Sequence, residues 1–358
     1  MKKREYDIVY LTNTPSFYKL NLCEAIALKG VRILLVLYGY GAEAVNRKLD
    51  PKCLNFDFEF IHTGDSNRRN KLATFLRLCR LMRGIRAGKV IYSGWLAPEY
   101  NLYSLLSPKS RNVVINESRA DDIGMAGLRG RVKRLVVGRM SGALPSGQPQ
   151  KEFFDRLGFR GQVECTGSVG LFAKGKRSPR MEMNRPPKFL YVGRLIDCKN
   201  LEFLVRAFTK WSHLQLTIVG KGEDEAKLKA IAGPNITFTG FIDNDRLAEV
   251  YDAHDVFILP SKYEPWGLVV EEALYRGLPV LVSDKVGSGP DLVRDLHSGF
   301  FFQHDDEQSL RWAIDELFRT WPQTKRRVLD IDWDSRESDQ IAAYLRILGV
   351  QDKSSFYP

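Results

Sequence analysis

Two glutamates eight residues apart, Glu264 and Glu272, stand in the densest segment of the chain, LPSKYEPWGLVVEEALYRGLPVLVSD (259–284). Apolar runs on either side read as strands, so Glu264 falls in the loop after a strand and Glu272 on the first two turns of the next helix. Carboxylates placed this way can hold different parts of one ligand. Ionised carboxylates only accept hydrogen bonds, which suits a hydroxyl-rich molecule. Gly267 and Leu268, at the helix start, offer backbone N–H groups to an anion. The plain alternative makes Glu264 an ordinary loop acid, and Glu271 and Glu272 exposed helix residues. VGRLIDCKN (192–200) sets Arg194 and Lys199 between a strand and a helix, where free N–H groups, helix dipole and two cations all favour a phosphate. Taken alone, two solvated basic residues flanking a turn explain that segment as well. VGKGE (219–223) repeats the junction, with Gly220 and Gly222 open to close approach by a ligand, though many α/β turns look the same.

Other chemistries are missing from the 358 residues. No G-x-G-x-x-G follows the first strand, and the phosphate-loop, G-x-S-x-G and H-E-x-x-H patterns are absent, against a dehydrogenase, P-loop enzyme, α/β-hydrolase or zincin. His62, His213, His254, His297 and His304 have no metal-ligand spacing. Cys23, Cys53, Cys79, Cys165 and Cys198 are scattered and odd in number, pointing to a reducing compartment rather than a disulfide framework. Glu5 and Asp7 interrupt any signal-peptide core, and no apolar run approaches the ~20 residues of a spanning helix. These features lead to the expectation of a cytosolic protein.

The elements that must position these residues alternate. EYDIVYLTN (5–13), VRILLVLYG (31–39), KVIYSG (89–94), RNVVINE (111–117) and QVECTGSVG (162–170) read as strands, with a helix over 16–30. FAKGKRSPRMEMNRPPK (172–188) reads as a linker. Alternation restarts at KFLYVGRL (188–195), with strands over 214–222, 235–242, 255–261 and 278–284 and helices between them. Two such runs predict two doubly wound α/β domains, 1–178 and 179–358, with the last helix a candidate to pack back on the first. Residues 1–180 carry 32 basic against 15 acidic residues and the rest 22 against 28, so the first domain should face something anionic.

Taken together, YVGRLIDCKN, LTIVGKGEDEAKL, FTGFI, DVFILPSKYEPWGLVVEEALYRGLPVLVSD, GPDLV and SGFFF, over about residues 188–303, resemble the retaining glycosyltransferases of family 4. That family has the GT-B fold, two Rossmann-like doubly wound domains facing a central cleft. The resemblance identifies an E-x7-E signature with Glu264 first and Glu272 second, leaving Glu271 a bystander. It implies that Arg194 and Lys199, beside Gly193, bind the diphosphate of a nucleotide-sugar. It also implies that Glu264 meets the donor sugar and Glu272 the ribose, while the Gly267–Leu268–Val269 backbone faces phosphates and sugar. Gly220 belongs to the donor site, Lys221 and Phe241 fall toward the base, and Asp291 stands where relatives often have Glu. Glu264, Arg194 and Lys199 are then the catalytic candidates. The implied reaction needs no metal or other cofactor, because preplaced cations stabilise the leaving diphosphate. The acceptor hydroxyl attacks on the face from which the leaving group departs, and a phosphate oxygen takes its proton. A lipid-linked or saccharide acceptor in bacterial surface polysaccharide or lipopolysaccharide synthesis is the implied setting.

The first half departs from that pattern. TNTPSFYKL (12–20) lacks a Gly-rich loop, although Thr14, Pro15 and Ser16 still end the first strand. Glu117 stands where many relatives have His, as in an ES-containing subgroup, so it either meets acceptor or donor sugar or caps the turn near Ser118. Arg77, Arg80, Arg83 and Arg86 recur in FLRLCRLMRGIRAGK (75–89), and Arg129, Arg131, Lys133 and Arg134 cluster in LRGRVKRLVVGR (128–139). Such helices suit peripheral contact with an anionic membrane at the inner face of the cytoplasmic membrane, or an amphipathic core helix with a solvated rim. Two other readings compete: a GT-B-fold sugar-nucleotide epimerase, and a basic α/β nucleic-acid-binding protein. The full Glu264/Glu272 and Arg194/Lys199 sets count against the first, and the lack of any nucleic-acid motif against the second. Nucleic acid is therefore not an expected partner.

Overall fold

The computed structural model describes residues 3–39, 54–62, 68–95, 97–119, 127–172, 174–177 and 179–349. Cys53, and Ala173 and Ser178 of the linker segment, lie outside them. The chain divides into two compact units, one of Met1–Ala173 with Asp334–Pro358, the other of Lys174–Trp333.

The first unit is built on seven parallel strands: β1 (Arg4–Thr12), β2 (Ile33–Leu37), β3 (Asp57–Phe60), β4 (Ile85–Ser93), β5 (Asn112–Asn116), β6 (Gly142–Pro145) and β7 (Gln162–Val163), ordered β3-β2-β1-β4-β5-β6-β7. Alternate residues of one strand enter opposite cores. Val9, Leu11, Leu34 and Val36 face one, while Ile8, Tyr10, Leu35 and Leu37 face the other. A strand covered on both faces needs an unbroken apolar run, which is why ILLVL carries no polar residue. The second core is closed by α1 (Phe17–Ala27), through Leu20, Leu22, Cys23 and Ile26, and by α12 (Trp333–Leu348), through Ile341, Tyr344, Leu345 and Ile347. That shared burial is why the end of the chain groups with its beginning, as the candidate packing of the last helix on the first domain anticipates.

The second unit repeats the pattern with β8 (Lys188–Val192), β9 (Gln215–Val219), β10 (Ile236–Gly240), β11 (Val256–Leu259), β12 (Val280–Ser283) and β13 (Gly299–Phe302), all parallel and ordered β10-β9-β8-β11-β12-β13. Helices α6 (Leu201–Lys210), α7 (Glu225–Ile231), α8 (Asn244–Asp252) and α9 (Leu268–Tyr275) join successive strands. Phe208 of α6 packs on Phe189 of β8 with ring centroids 5.0 Å apart. In both sheets the winding reverses beside the first strand, at β1/β4 and β8/β11, so ligand-binding loops belong at the carboxyl ends of those strands.

Several elements differ from the sequence reading. The basic segment 75–89 is not one helix. Helix α2 (Lys71–Arg83) stops at Gly84, and Arg86 lies in β4 opposite Glu5. Gly88 shows why: a Cβ there would sit 2.8 Å from the Asp7 carbonyl oxygen, so strand packing sets that stretch. Strands β3, β6 and β13 add to those expected, and of the expected strand 162–170 only Gln162–Val163 forms β7, although the Glu164 and Thr166 N–H groups still donate to Ala143 O (3.0 Å) and Pro145 O (2.9 Å) of β6. The linker is irregular but anchored. Arg180, Asn184 and the Lys188 N–H all donate to Asp255, which is 1% exposed.

Candidate functional site

Loops at the carboxyl ends of β8, β9 and β11 carry most of the expected residues. Gly193 donates its N–H to Val219 O (3.0 Å), and Gly220, at φ +135°, has no room for a side chain: a Cβ would lie 1.9 Å from Gly193 O. At Gly222 the same atom would lie 2.1 Å from Leu195 O. The close approach that these glycines permit is between neighbouring loops. Arg194 is exposed, and its carbonyl accepts the hydroxyl of the buried Tyr191 at 2.9 Å.

Lys199 closes a single helical turn, Asp197–Lys199, that ends in Asn200 at φ 59°. Asn tolerates this left-handed conformation because its side chain can bond locally. Here the Asn200 amide donates to Pro260 O (3.1 Å) and His304 O (2.6 Å), tying the β8 loop to those after β11 and β13. The tie delivers the Lys199 ammonium onto the Glu264 carboxylate, with the two side chains only 15% and 11% exposed. Gly267, at φ +94°, precedes α9 without a side-chain cap, so the helix presents the first-turn N–H groups of Leu268 and Val269.

Glu272 lies on α9 but meets a different partner. The Tyr251 hydroxyl of α8 donates to its Oε2 at 3.1 Å. Burial pushes the Glu272 carboxyl up to about 7; the Tyr251 bond opposes the shift and the neighbouring Glu271 adds to it. Glu271 is not an exposed helix residue. It is 3% exposed, and its Oε1 accepts the indole N–H of Trp266 at 2.5 Å. Lys221 and Phe241 are exposed after β9 and β10, and Asp291 is half-buried in the helical turn Pro290–Arg294. The geometry thus joins Lys199 to Glu264 directly and sets Glu272 apart with Tyr251.

In the first unit, Ser16 is the extended N-cap of α1, with its hydroxyl oxygen buried and unpartnered, and Thr14 precedes it half-buried. Glu117 follows β5 and pairs with Lys19, Nζ to Oε1 3.5 Å. The turn at Ser118 is held by Asn116, whose amide donates to Ser118 O at 2.7 Å. Lys19 is 5% exposed; burial opposes its charge, but Tyr18 and Glu117 outweigh that and hold the ammonium above its usual range.

Sequence reasoning missed Lys19, Asn200, Tyr251 and Trp266. Only Asn200 carried a signal, a residue tolerant of the left-handed region just before a helix. The others depend on which strand end meets which helix.

Residues 176–329 match the family described as "Glycosyl transferases group 1". An uncharacterized glycosyltransferase of Methanocaldococcus jannaschii is 32% identical over 140 residues, 37% of this chain and 36% of that protein. A GDP-mannose-dependent alpha-mannosyltransferase of Mycolicibacterium smegmatis is 34% identical over 164 residues, 44% of this chain and 43% of that protein. The chain thus spans less than half the length of these relatives. Over nearly its whole length it is similar in fold to a lipopolysaccharide outer core galactosyltransferase: TM-score 0.67, 15% identity, 94% of this chain and 99% of that one. The two sheets and this likeness make the fold GT-B.

Proposed function

We propose, from the premise that residues 176–329 form a glycosyl transferases group 1 domain, that this protein transfers a sugar from a nucleotide-diphosphate sugar to a lipid-linked or saccharide acceptor, with retention. The observation that carries the reading is the Lys199–Glu264 pair, held by Asn200 at the carboxyl ends of β8 and β11. Arg194, Lys199 and the N-terminal N–H groups of α9 receive the charge that builds on the diphosphate as the glycosyl bond breaks, without calling on a metal. Glu264 accepts hydrogen bonds from the donor sugar hydroxyls, and Glu272 from the ribose. The acceptor oxygen bonds to the anomeric carbon on the departing side, its proton passes to a phosphate oxygen, and the nucleoside diphosphate leaves. Lys221 and Phe241 lie toward the base, while Thr14, Ser16 and Glu117 belong to the acceptor or donor sugar. The likeness to a lipopolysaccharide galactosyltransferase supports surface polysaccharide or lipopolysaccharide synthesis as the setting.

Thermal unfolding against UDP-, GDP-, ADP- and CMP-sugars tests this. One nucleotide series should raise the midpoint, since a ligand bound by the folded state alone stabilises it, and R194A should lose the shift. Silence across the panel in folded wild-type protein would overturn the reading.

The same reading includes an anionic membrane as partner, at the cytoplasmic face. Among the described residues no helix is long and apolar enough to cross a bilayer. Helix α3 (Pro98–Leu106) contacts both α2 and α4 (Gly127–Gly138). Across these helices Leu72, Leu76, Leu102, Leu106, Leu128, Val132 and Leu135 are 47–76% exposed among Arg77, Arg80, Arg83, Arg129, Arg131 and Arg134. Basic groups draw anionic headgroups while exposed aliphatics enter the acyl boundary. Sedimentation with phosphatidylglycerol vesicles, but not with phosphatidylcholine alone, is expected at physiological salt. High salt and L128E/L135E should each weaken it. Binding indifferent to lipid charge would refute the contact.

A further inference from the structure

Adjacent acids on α9 leave the helix in different directions. Glu272 meets Tyr251, whereas Glu271 turns inward to the indole N–H of Trp266, itself 2% exposed. A carboxyl group at that depth costs more to bury than a leucine filling the same face. Its position shows what that burial accomplishes. Trp266 lies two residues after Glu264 and immediately before Gly267. The loop backbone is already held from the other side, with Gly287 N–H donating to Glu264 O (2.9 Å) and Ser288 N–H to Trp266 O (3.1 Å). Those bonds fix the loop to the segment after β12, and the turn from loop to α9 is made at Gly267, whose φ of +94° glycine adopts without the steric cost other residues pay. The Trp266–Glu271 bond bridges that glycine, joining the residue before it to the helix after it.

We propose that Glu271 is a positioning residue: by bonding Trp266 across Gly267 it fixes the loop that carries Glu264 against the N-terminus of α9. It touches no substrate. It sets the distance between the carboxylate that meets the sugar and the N–H groups that meet the phosphates, where small misplacements are costly. The inference rests on the transferase reading of Glu264 and α9.

The test uses the full chain and the nucleotide-sugar that stabilises it most in the panel, with turnover followed by transfer to water if no saccharide acceptor is in hand. E271Q keeps an acceptor oxygen for the indole and should retain kcat within about twofold. E271L and W266F should each lower kcat about tenfold or more with a smaller change in donor KM, and the double variant should be no worse than either single one. The Trp266 indole N–H resonance, assigned from W266F, should move upfield in E271L and much less in E271Q, reporting the bond independently of turnover. Folded E271L with a displaced indole resonance but wild-type kcat overturns the proposal, as does E271Q damaged as badly as E271L. If E271L does not fold, wild-type kcat in W266F overturns it equally. R194A separates the two readings: donor binding that survives R194A removes the transferase premise, whereas binding lost in R194A with kcat kept in E271L removes the positioning role alone.

Discussion

Replacing Lys199 by methionine is expected to lower turnover of the bound nucleotide-sugar by about 10²–10³-fold, the usual loss when one preplaced charge at a developing anion is removed. The same change should destabilise the fold, because the buried Glu264 is left without its cation. Breaking a buried pair from one side costs about 3–5 kcal/mol. Set against a total stability of about 5–15 kcal/mol, that is enough to confuse a rate with a folded fraction. The double variant K199M/E264Q separates them. Neutralising the stranded carboxylate should recover most of the lost stability in denaturant unfolding, while the rate should stay well below that of E264Q alone because the diphosphate still lacks its cation. Recovery of rate together with stability would reduce Lys199 to a structural partner of Glu264.

What made Lys199 and Glu264 legible was local. Each sits a few residues beyond an apolar strand, and a doubly wound sheet sends such positions to one edge. The same logic placed Arg194 at a strand end, whereas Lys221 and Phe241 rested on the family resemblance alone. It stopped where contact between elements decides the outcome. Glu271 and Glu272 have the same side chain one residue apart, so no pattern in the segment tells which faces Trp266 and which Tyr251; the 100° step of the helix and the packing of α8 decide it. Gly220 and Gly222 read as space for a ligand because a sequence shows the missing side chain but not the neighbouring loop that fills it. Arg86 continued a three-residue rhythm of arginines, yet Gly84 and the burial of Ile85 and Ala87 on either side of the exposed Arg86 carry it into a strand. Lys19 gave no hint of pairing with a residue nearly a hundred positions away.

Glu272 gives the clearest dependence on pH. Its carboxyl is pushed from the usual 4.5 up to about 7, so between those values the folded chain holds a proton that the unfolded chain has released. The stability this contributes is fully present below about pH 4.5 and is lost as pH rises through about 7. Its size is about 3 kcal/mol, with burial as the main cause. E272Q should therefore flatten the fall in unfolding free energy between pH 5 and 8. Ligand binding should run the other way. Ribose hydroxyls donate hydrogen bonds, so only the ionised carboxylate serves them fully. The dissociation constant of the nucleotide-sugar should fall about tenfold between pH 6 and pH 8, and E272Q should bind weakly with no such slope. E271Q removes a neighbouring charge but keeps an acceptor for Trp266, so it should move the midpoint lower without abolishing the slope. A wild-type profile that is flat while stability still falls with pH would mean that Glu272 titrates but never meets the ligand. A flat profile in both measurements would mean that Tyr251 and the enclosing helix hold it in one charge state throughout.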